Sequence, residues 1–353
     1  MAYAHKHEQA AEQALPLAVD PRYHAAQLPP FLLQTVVRVA ARHDIDPERL
    51  CHGLGFTAAD LADPGLRVSY RQISQLIRRA MALLQDPALG LEVGCSNVLG
   101  TLGLVGYAMS LSPTLGDAIG MALRYQVLAG GIVHADAGGD GDEIWLSGGF
   151  RFPEPEIQVF AIEELFASGM VYMRTLAGDG FRPLRVECVY PEPAHAGAYA
   201  AVFGAPVRFG CLENRFVLDA AWLAHPLSTH EPLALRQTVA MLEQEARATM
   251  PADDLAMSVE RAISRSLAEG AQIERIAGDL NMSGRTLRRR LAELGLSFDA
   301  LLDNVRRTRV LSLLANPRLL FEQIAAEAGY SDVRSFRRAF RRWTGVSPSE
   351  FRR

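Results

Sequence analysis

Residues 271–298 read AQIERIAGDLNMSGRTLRRRLAELGLSF, and residues 321–351 read FEQIAAEAGYSDVRSFRRAFRRWTGVSPSEF. Aligned, Ile276-Ala277 falls on Ile324-Ala325, Leu287 on Phe336, Leu291 on Phe340 and Leu294 on Trp343. The offset grows from 48 to 49 residues across the turn. The two stretches are copies of one two-helix unit.

In the first copy, Ile273, Ile276, Ala277 and Leu280 share one helical face. Asn281-Met282 makes the turn, and Ser283 is suited to cap the next helix. Leu287, Leu291 and Leu294 then face inward, which leaves Arg285, Arg288 and Arg289 outside. In the second copy Ile324, Ala325 and Ala328 pack the first helix, and Gly329-Tyr330 turns. Ser331 or Asp332 caps the next helix, and Phe336, Phe340 and Trp343 face inward. Val333, Arg334, Arg337, Arg338 and Arg341 stay outside, with no acidic neighbour one turn away. A surface helix with solvated arginines would show the same stripe once. Two such helices in one chain point to a negatively charged groove, that of double-stranded DNA. The segment from Phe298 to Ala315 reads as a helix that joins the copies, with Phe298, Leu301, Leu302, Val305, Val310, Leu313 and Leu314 apolar.

Charge is distributed to match. Residues 271–353 hold 16 arginines and 9 acidic residues, a balance of +7 inside a chain of net charge -4. An acidic body therefore carries a basic tail. The chain has a single lysine, Lys6, so the position of the arginines carries more meaning than their identity.

This tail resembles the C-terminal domain of the AraC/XylS family of bacterial transcription regulators. The likeness rests on SGRTLRRRLAELGLSF and IAAEAGYSDVRSFRRAFRRWTGVSPSEFR, and spans about residues 255–353. It implies that Arg285, Arg288 and Arg289 read bases from the first unit, and Val333, Arg334, Arg337 and Arg338 from the second. It also implies docking in two successive major grooves. Arg334 and Val333 depart from the family's habit of a small polar and a hydrogen-bonding residue there. An arginine at 334 can grip phosphate without carrying sequence information. The body is similar to the "arabinose-binding"-like N-terminal domain of one subgroup of that family. The matching stretches are LGLVGYAMSLSPTLGDAIGMALRYQ and YPEPAHAGAYAAVFGAPVRFGCLENRFVLDAAWLAHPL. That likeness implies a sensor of small metabolites such as amino acids or their catabolites.

The body itself reads as α+β, with helices first and a small sheet later. The whole chain is then an α+β sensor domain followed by an all-α domain with two helix–turn–helix motifs and a linker helix. The expected segments are a flexible start (1–27), a sensing and dimerising domain (28–227), a helical linker (228–254) and the DNA-binding domain (255–353). Ile132–His134 and Glu143–Ser147 read as strands joined by a Gly- and Asp-rich loop, Ala135–Asp142. Ile157–Leu176 reads as a long apolar helix.

A sensor pocket needs apolar walls and a few polar anchors. Tyr107, Arg124, Tyr125 and His134 lie near the joint of helices and hairpin, and Glu163 and Glu164 interrupt the apolar helix; these six are the candidate ligand contacts. Either carboxylate buried with Arg124 would serve equally as a structural ion pair. His195, His225 and His230 lie near proline-rich turns and read as surface or capping residues.

The cysteines Cys51, Cys95, Cys188 and Cys211 have no metal-ligand spacing and read as buried thiols of a reducing compartment. There is no signal peptide pattern and no run of apolar residues long enough for a membrane span, so the expected location is cytoplasmic. No GxGxxG after a strand, GxxxxGK[ST], HExxH or GxSxG is present, and neither enzyme nor cofactor is expected. The expected partners are DNA, a small effector, a second copy of the chain and, for an activator, RNA polymerase. A regulator whose body only dimerises, with no effector, is the alternative.

Overall fold

The computed structural model describes residues 21–152, 154–249, 253–280 and 282–352. Most of the expected flexible start, and Asn281 of the first turn, lie outside the described residues. The chain forms two compact units. One comprises Arg22–Phe150 and Glu156–Thr249; the other includes Arg151–Pro155 and Met250–Arg353.

The first unit begins with helices: α1 (Phe31–Arg42), α2 (Pro47–Cys51), α3 (Tyr70–Leu84), α4 (Leu89–Cys95), α5 (Leu104–Ser110) and α6 (Leu115–Arg124). It continues through β1 (Val133–Asp140), β2 (Glu143–Phe150), α7 (Gln158–Ala177) and β3 (Arg185–Cys188). It ends with α8 (Gly197–Phe203), β4 (Val207–Phe209), β5 (Asn214–Asp219) and α9 (Pro232–Thr249). Ser69 caps α3 in a reciprocal box with Gln72, as its position in the sequence suggests.

The five strands form one sheet in the order β1-β2-β5-β3-β4. All neighbours are antiparallel except β3 and β4. The hairpin is longer than expected: β1 pairs with β2 as far as Asp140 opposite Glu143, so most of the supposed loop is strand. Gly138 there serves packing, while Gly141, at φ +59, makes the remaining tight turn. A Cβ on Gly138 would lie 2.7 Å from the Trp145 ring, which covers that position. Asn214 ties the sheet together, its Oδ1 accepting from the Val189 amide at 2.9 Å and its Nδ2 donating to the Gly148 carbonyl at 3.2 Å.

α7 is the spine of this unit. On one side Phe166 meets Phe216 of β5, with ring centroids 5.9 Å apart. On another, α4 approaches so closely that a Cβ on Gly94 would lie 2.6 Å from Ala167 Cβ, and one on Gly90 would lie 2.5 Å from the Phe160 carbonyl. Two neighbouring carboxylates lie within this packing. Adjacent residues on a helix diverge by about 100°, so they find different partners. Glu163, 1% exposed, accepts from Tyr199 Oη at 2.5 Å and pairs with His195 Nε2. His195 is thus largely buried rather than a surface or capping residue. Glu164 accepts from Asn97 Nδ2 at 2.9 Å, and Asn97 in turn accepts from Thr35 Oγ1 of α1 at 2.7 Å. Burial raises both carboxyls above the usual glutamate range, Glu164 to about 7.

Of the four thiols, Cys51 and Cys188 are buried as expected, but Cys95 is exposed and Cys211 partly so, because they sit at the end of α4 and in the turn before β5. Burial pushes Cys51 to about 11 and Cys188 to about 12. No helix among the described residues is long and apolar enough to cross a membrane.

Beyond Arg151–Pro155, the regular elements among the described residues of the second unit are all helices: α10 (Asp253–Arg265), α11 (Ile273–Asp279), α12 (Gly284–Glu293), α13 (Phe298–Leu314), α14 (Phe321–Glu327), α15 (Val333–Thr344) and α16 (Pro348–Phe351). The architecture is therefore α+β followed by an all-α domain with tandem two-helix motifs.

Titration of Glu164 gives a testable consequence. The folded chain holds its proton more tightly than the unfolded chain, whose carboxyl titrates near the ordinary 4.5. Its stabilising contribution is complete below the unfolded value and is lost as pH rises through about 7. Glu164→Gln keeps an acceptor for Asn97 and should raise the melting temperature at pH 8. It should also flatten the stability profile between about pH 5 and 8, read by thermal melts across that range.

Candidate nucleic-acid interface

Each motif starts from a buried apolar stripe. In the first, Ile273, Ile276, Ala277, Leu287 and Leu291 join Val259, Ile263 and Leu267 of α10 and its end, and Phe298 and Leu301 of α13, in one core. Leu280 packs at its edge. Ser283 caps α12 through the Thr286 amide at 3.2 Å. In the second, Ile324, Ala325, Ala328, Phe336 and Phe340 are buried. Asp332, rather than Ser331, caps α15, accepting from the Ser335 amide at 2.7 Å. Those hydrogen bonds hold its carboxyl below the usual range.

Two stripe positions differ from expectation. Leu294 and Trp343 are only half-buried, since both lie at the C-terminal ends of their helices. Trp343 rests at 6.4 Å from the Tyr330 ring. Ala339, whose small side chain does not stand out in the sequence, is buried on α15 as well.

α13 carries the second motif as well as the first. Arg306 on α13 donates from Nε to the Ala328 carbonyl at 3.2 Å and from Nη2 to the Gly329 carbonyl at 2.9 Å. These are the carbonyls a helix C-terminus leaves without partners. The guanidinium also lies 4.6 Å above the Tyr330 ring. Gly329 itself has φ +70, and a Cβ there would come within 2.0 Å of the Leu267 carbonyl oxygen. The residue is glycine for both reasons.

With the stripes inside, the arginines stand outside. Arg285, Arg288 and Arg289 on α12 are exposed, as are Arg334, Arg337, Arg338 and Arg341 on α15. Val333 is half-buried. The two faces differ electrostatically. Arg288 Nη2 meets Glu274 Oε1 of α11 at 3.0 Å, and Arg289 Nη1 meets Glu293 Oε1 at 2.5 Å. On α15, Arg337 lies 5.8 Å from the Phe321 ring centroid and Arg338 donates to Ser335 Oγ at 3.3 Å. Among the described residues, none of Arg285, Arg334, Arg337, Arg338 and Arg341 has a carboxylate partner. The Arg289–Glu293 pair has i,i+4 spacing and is visible in the sequence. Glu274 does not stand out there, because 14 residues and a turn separate it from Arg288.

The six candidate ligand residues do not form one cluster. Arg124 lies over the Tyr125 ring at 5.1 Å and pairs with Glu243 of α9 at 3.2 Å, not with Glu163 or Glu164. Tyr107 is 52% exposed on α5. His134 sits near the start of β1, and along α7 Glu163 is buried and Glu164 half-buried. A depression of about 280 Å³ lies elsewhere, lined by Asp219, Ala221, Trp222, Ala224 and His225.

Gly329→Ala should destabilise the second unit by roughly 1–3 kcal/mol, the usual cost of a side chain in a left-handed conformation, or more given the carbonyl approach. A lower denaturant midpoint for helix loss in the full chain checks it; an unchanged midpoint would remove the crowding argument.

Comparison with known proteins shows the family. Residues 45–227 match the family described as the arabinose-binding domain of AraC transcription regulator, and residues 276–353 match a helix-turn-helix domain family. The chain is similar to the ornithine utilization regulator of Pseudomonas aeruginosa, 31% identical over 334 residues, covering 94% of this chain and 97% of that one. It is also 27% identical over 275 residues to the regulator VqsM of the same species, covering 74% and 83%. The crystal structure of transcriptional regulator CdpR, again from Pseudomonas aeruginosa, aligns with 91% of this chain and 98% of its own, at 23% identity and a TM-score of 0.47. On the strength of a family match over half its length and a relative of 31% identity along nearly all of it, the chain belongs to the AraC/XylS family of helix-turn-helix transcription regulators, with an arabinose-binding-like N-terminal domain.

Proposed function

We propose that this DNA-binding regulator reads its operator with α12 and α15, and that its N-terminal unit senses a small metabolite that controls that binding. The observation that carries the reading is the pair of exposed arginine faces, each backed by a buried apolar stripe. Arg285, Arg288 and Arg289 face one major groove. Val333, Arg334, Arg337, Arg338 and Arg341 face the next, with Arg334 and Arg341 gripping phosphate.

For the effector, the class is an amino acid or a catabolite of one, which the ornithine utilization relative supports. Tyr107, Arg124, Tyr125, His134, Glu163 and Glu164 are its candidate partners, acting directly or by shaping the packing around α7. The N-terminal unit also self-associates; exposed Leu233 and Met241, eight residues apart on α9, support a homodimer. Domain limits of 28–227 for sensing, 228–254 for the linker and 255–353 for DNA binding serve this arrangement. An activating role would add RNA polymerase as a partner.

Ligand control is a linkage: an effector shifts DNA affinity only by its unequal affinity for the DNA-competent and incompetent states, and DNA shifts effector affinity by the same factor. Sequencing of genomic fragments bound by the full chain should yield two short half-elements about 10 base pairs apart. Addition of free amino acids, ornithine among them, should change the affinity for that motif. Equal affinity with and without every amino acid tested would leave the dimerising, effector-free regulator. Replacing Arg288 or Arg289 by Ala should weaken binding to the motif by roughly 1–3 kcal/mol for each base edge no longer held bidentately. Equal weakening on random DNA would make those residues phosphate ligands instead.

A further inference from the structure

The two motifs carry the same residue types at two matched positions and use them differently. Glu274 aligns with Glu322, and Arg288 with Arg337. In the first motif they meet, Oε1 to Nη2 at 3.0 Å. In the second, Arg337 turns to the Phe321 ring, and no ion pair joins it to Glu322. The first residue of each second helix differs as well. Gly284 opens α12, and a Cβ there would lie 3.2 Å from Glu274 Oε1 and 3.6 Å from Arg288 Nη1. The missing side chain leaves the corner where carboxylate and guanidinium meet. At the matched position of α15 stands Val333, which carries a branched side chain where Gly284 has none.

We propose that Glu274 is a positioning residue that sets the base specificity of Arg288. The inference rests on α12 and α15 being the DNA-facing helices. A guanidinium has five N–H donors, and the bond to Glu274 uses Nη2 alone. The remaining donors stay available for the two acceptors of a guanine edge. The carboxylate restrains a side chain that otherwise loses much rotamer freedom on binding. It also cancels one positive charge on the face of α12, which weakens attraction to phosphate in any sequence. Arg337, with no carboxylate beside it, brings its whole charge to the duplex. Arg288 therefore discriminates between bases, and Arg337 supplies affinity that is indifferent to sequence, leaving base reading on α15 to its other residues.

The test compares the full chain with Glu274→Gln, Arg288→Ala, the double variant, Gly284→Val and Arg337→Ala. The probes are a duplex carrying the motif selected by the wild-type chain from a random library, and a scrambled duplex of equal length. Affinities are measured over a salt gradient. Glu274 is exposed, so Glu274→Gln should melt like the wild type. It should bind the scrambled duplex roughly two- to fivefold more tightly, the worth of one exposed ion pair. Its salt dependence should steepen by about one counterion, while the selected motif gains nothing, so the ratio of affinities falls. In the Arg288→Ala background the same change should leave the ratio alone. Gly284→Val should reproduce the loss of ratio, and Arg337→Ala should weaken both duplexes by one factor.

An unchanged ratio in Glu274→Gln, or an equal fall with Arg288 absent, overturns the proposal. Should the wild-type chain select no motif, the base-reading role of α12 fails. An unchanged salt slope for Glu274→Gln on scrambled DNA would then remove the charge-cancelling role as well.

Discussion

Leu287 and Leu291 on one helix, and Phe336 and Phe340 on another, are the anchors on which the two arginine-bearing faces depend. Each buried side chain of this size contributes roughly 1.5–3 kcal/mol by leaving water. That burial fixes which way each helix is rolled, and the arginines are presented only because the roll is fixed. A two-helix unit is too small to enclose such a core alone. α13 solves the problem for both, lending Phe298 and Leu301 to the first core and Arg306 to the carbonyl ends of the second.

Much of this is legible in the amino-acid sequence. The stripes repeat at helical period over two copies, so the positions of Leu287, Leu291, Phe336 and Phe340 follow from spacing. The caps at Ser69 and Ser283 follow from residue type. What period cannot show is who meets whom across a turn. Glu274 and Arg288 lie 14 residues apart, and their meeting depends on a missing side chain at Gly284. Trp343 has the right phase for burial but stands at the end of its helix, where fewer neighbours remain.

The N-terminal unit is legible in class and less so in detail. Glycines near a hairpin read as a turn, yet Gly138 is small because Trp145 lies across it. Glu163 and Glu164 stand out as charges in an apolar helix, and the sequence offers Arg124 as their partner. The partners are instead a histidine and tyrosine for one, and an asparagine for the other. Both sets come from segments distant in the chain, and only the packed fold brings them together. The buried amide and carboxyl groups fasten α1, the end of α4 and α7 to one another, so a change in one is felt by the others.

The unlike treatment of the two arginine faces has a further meaning. Two identical motifs related by symmetry would see the same site in either direction. Within each chain two different arginine-bearing helices follow in a fixed order, one with an arginine restrained by acid and one without. Turning the duplex end for end would offer each helix the other's bases. On the proposed reading, the stretch of duplex held by each chain therefore has a polarity.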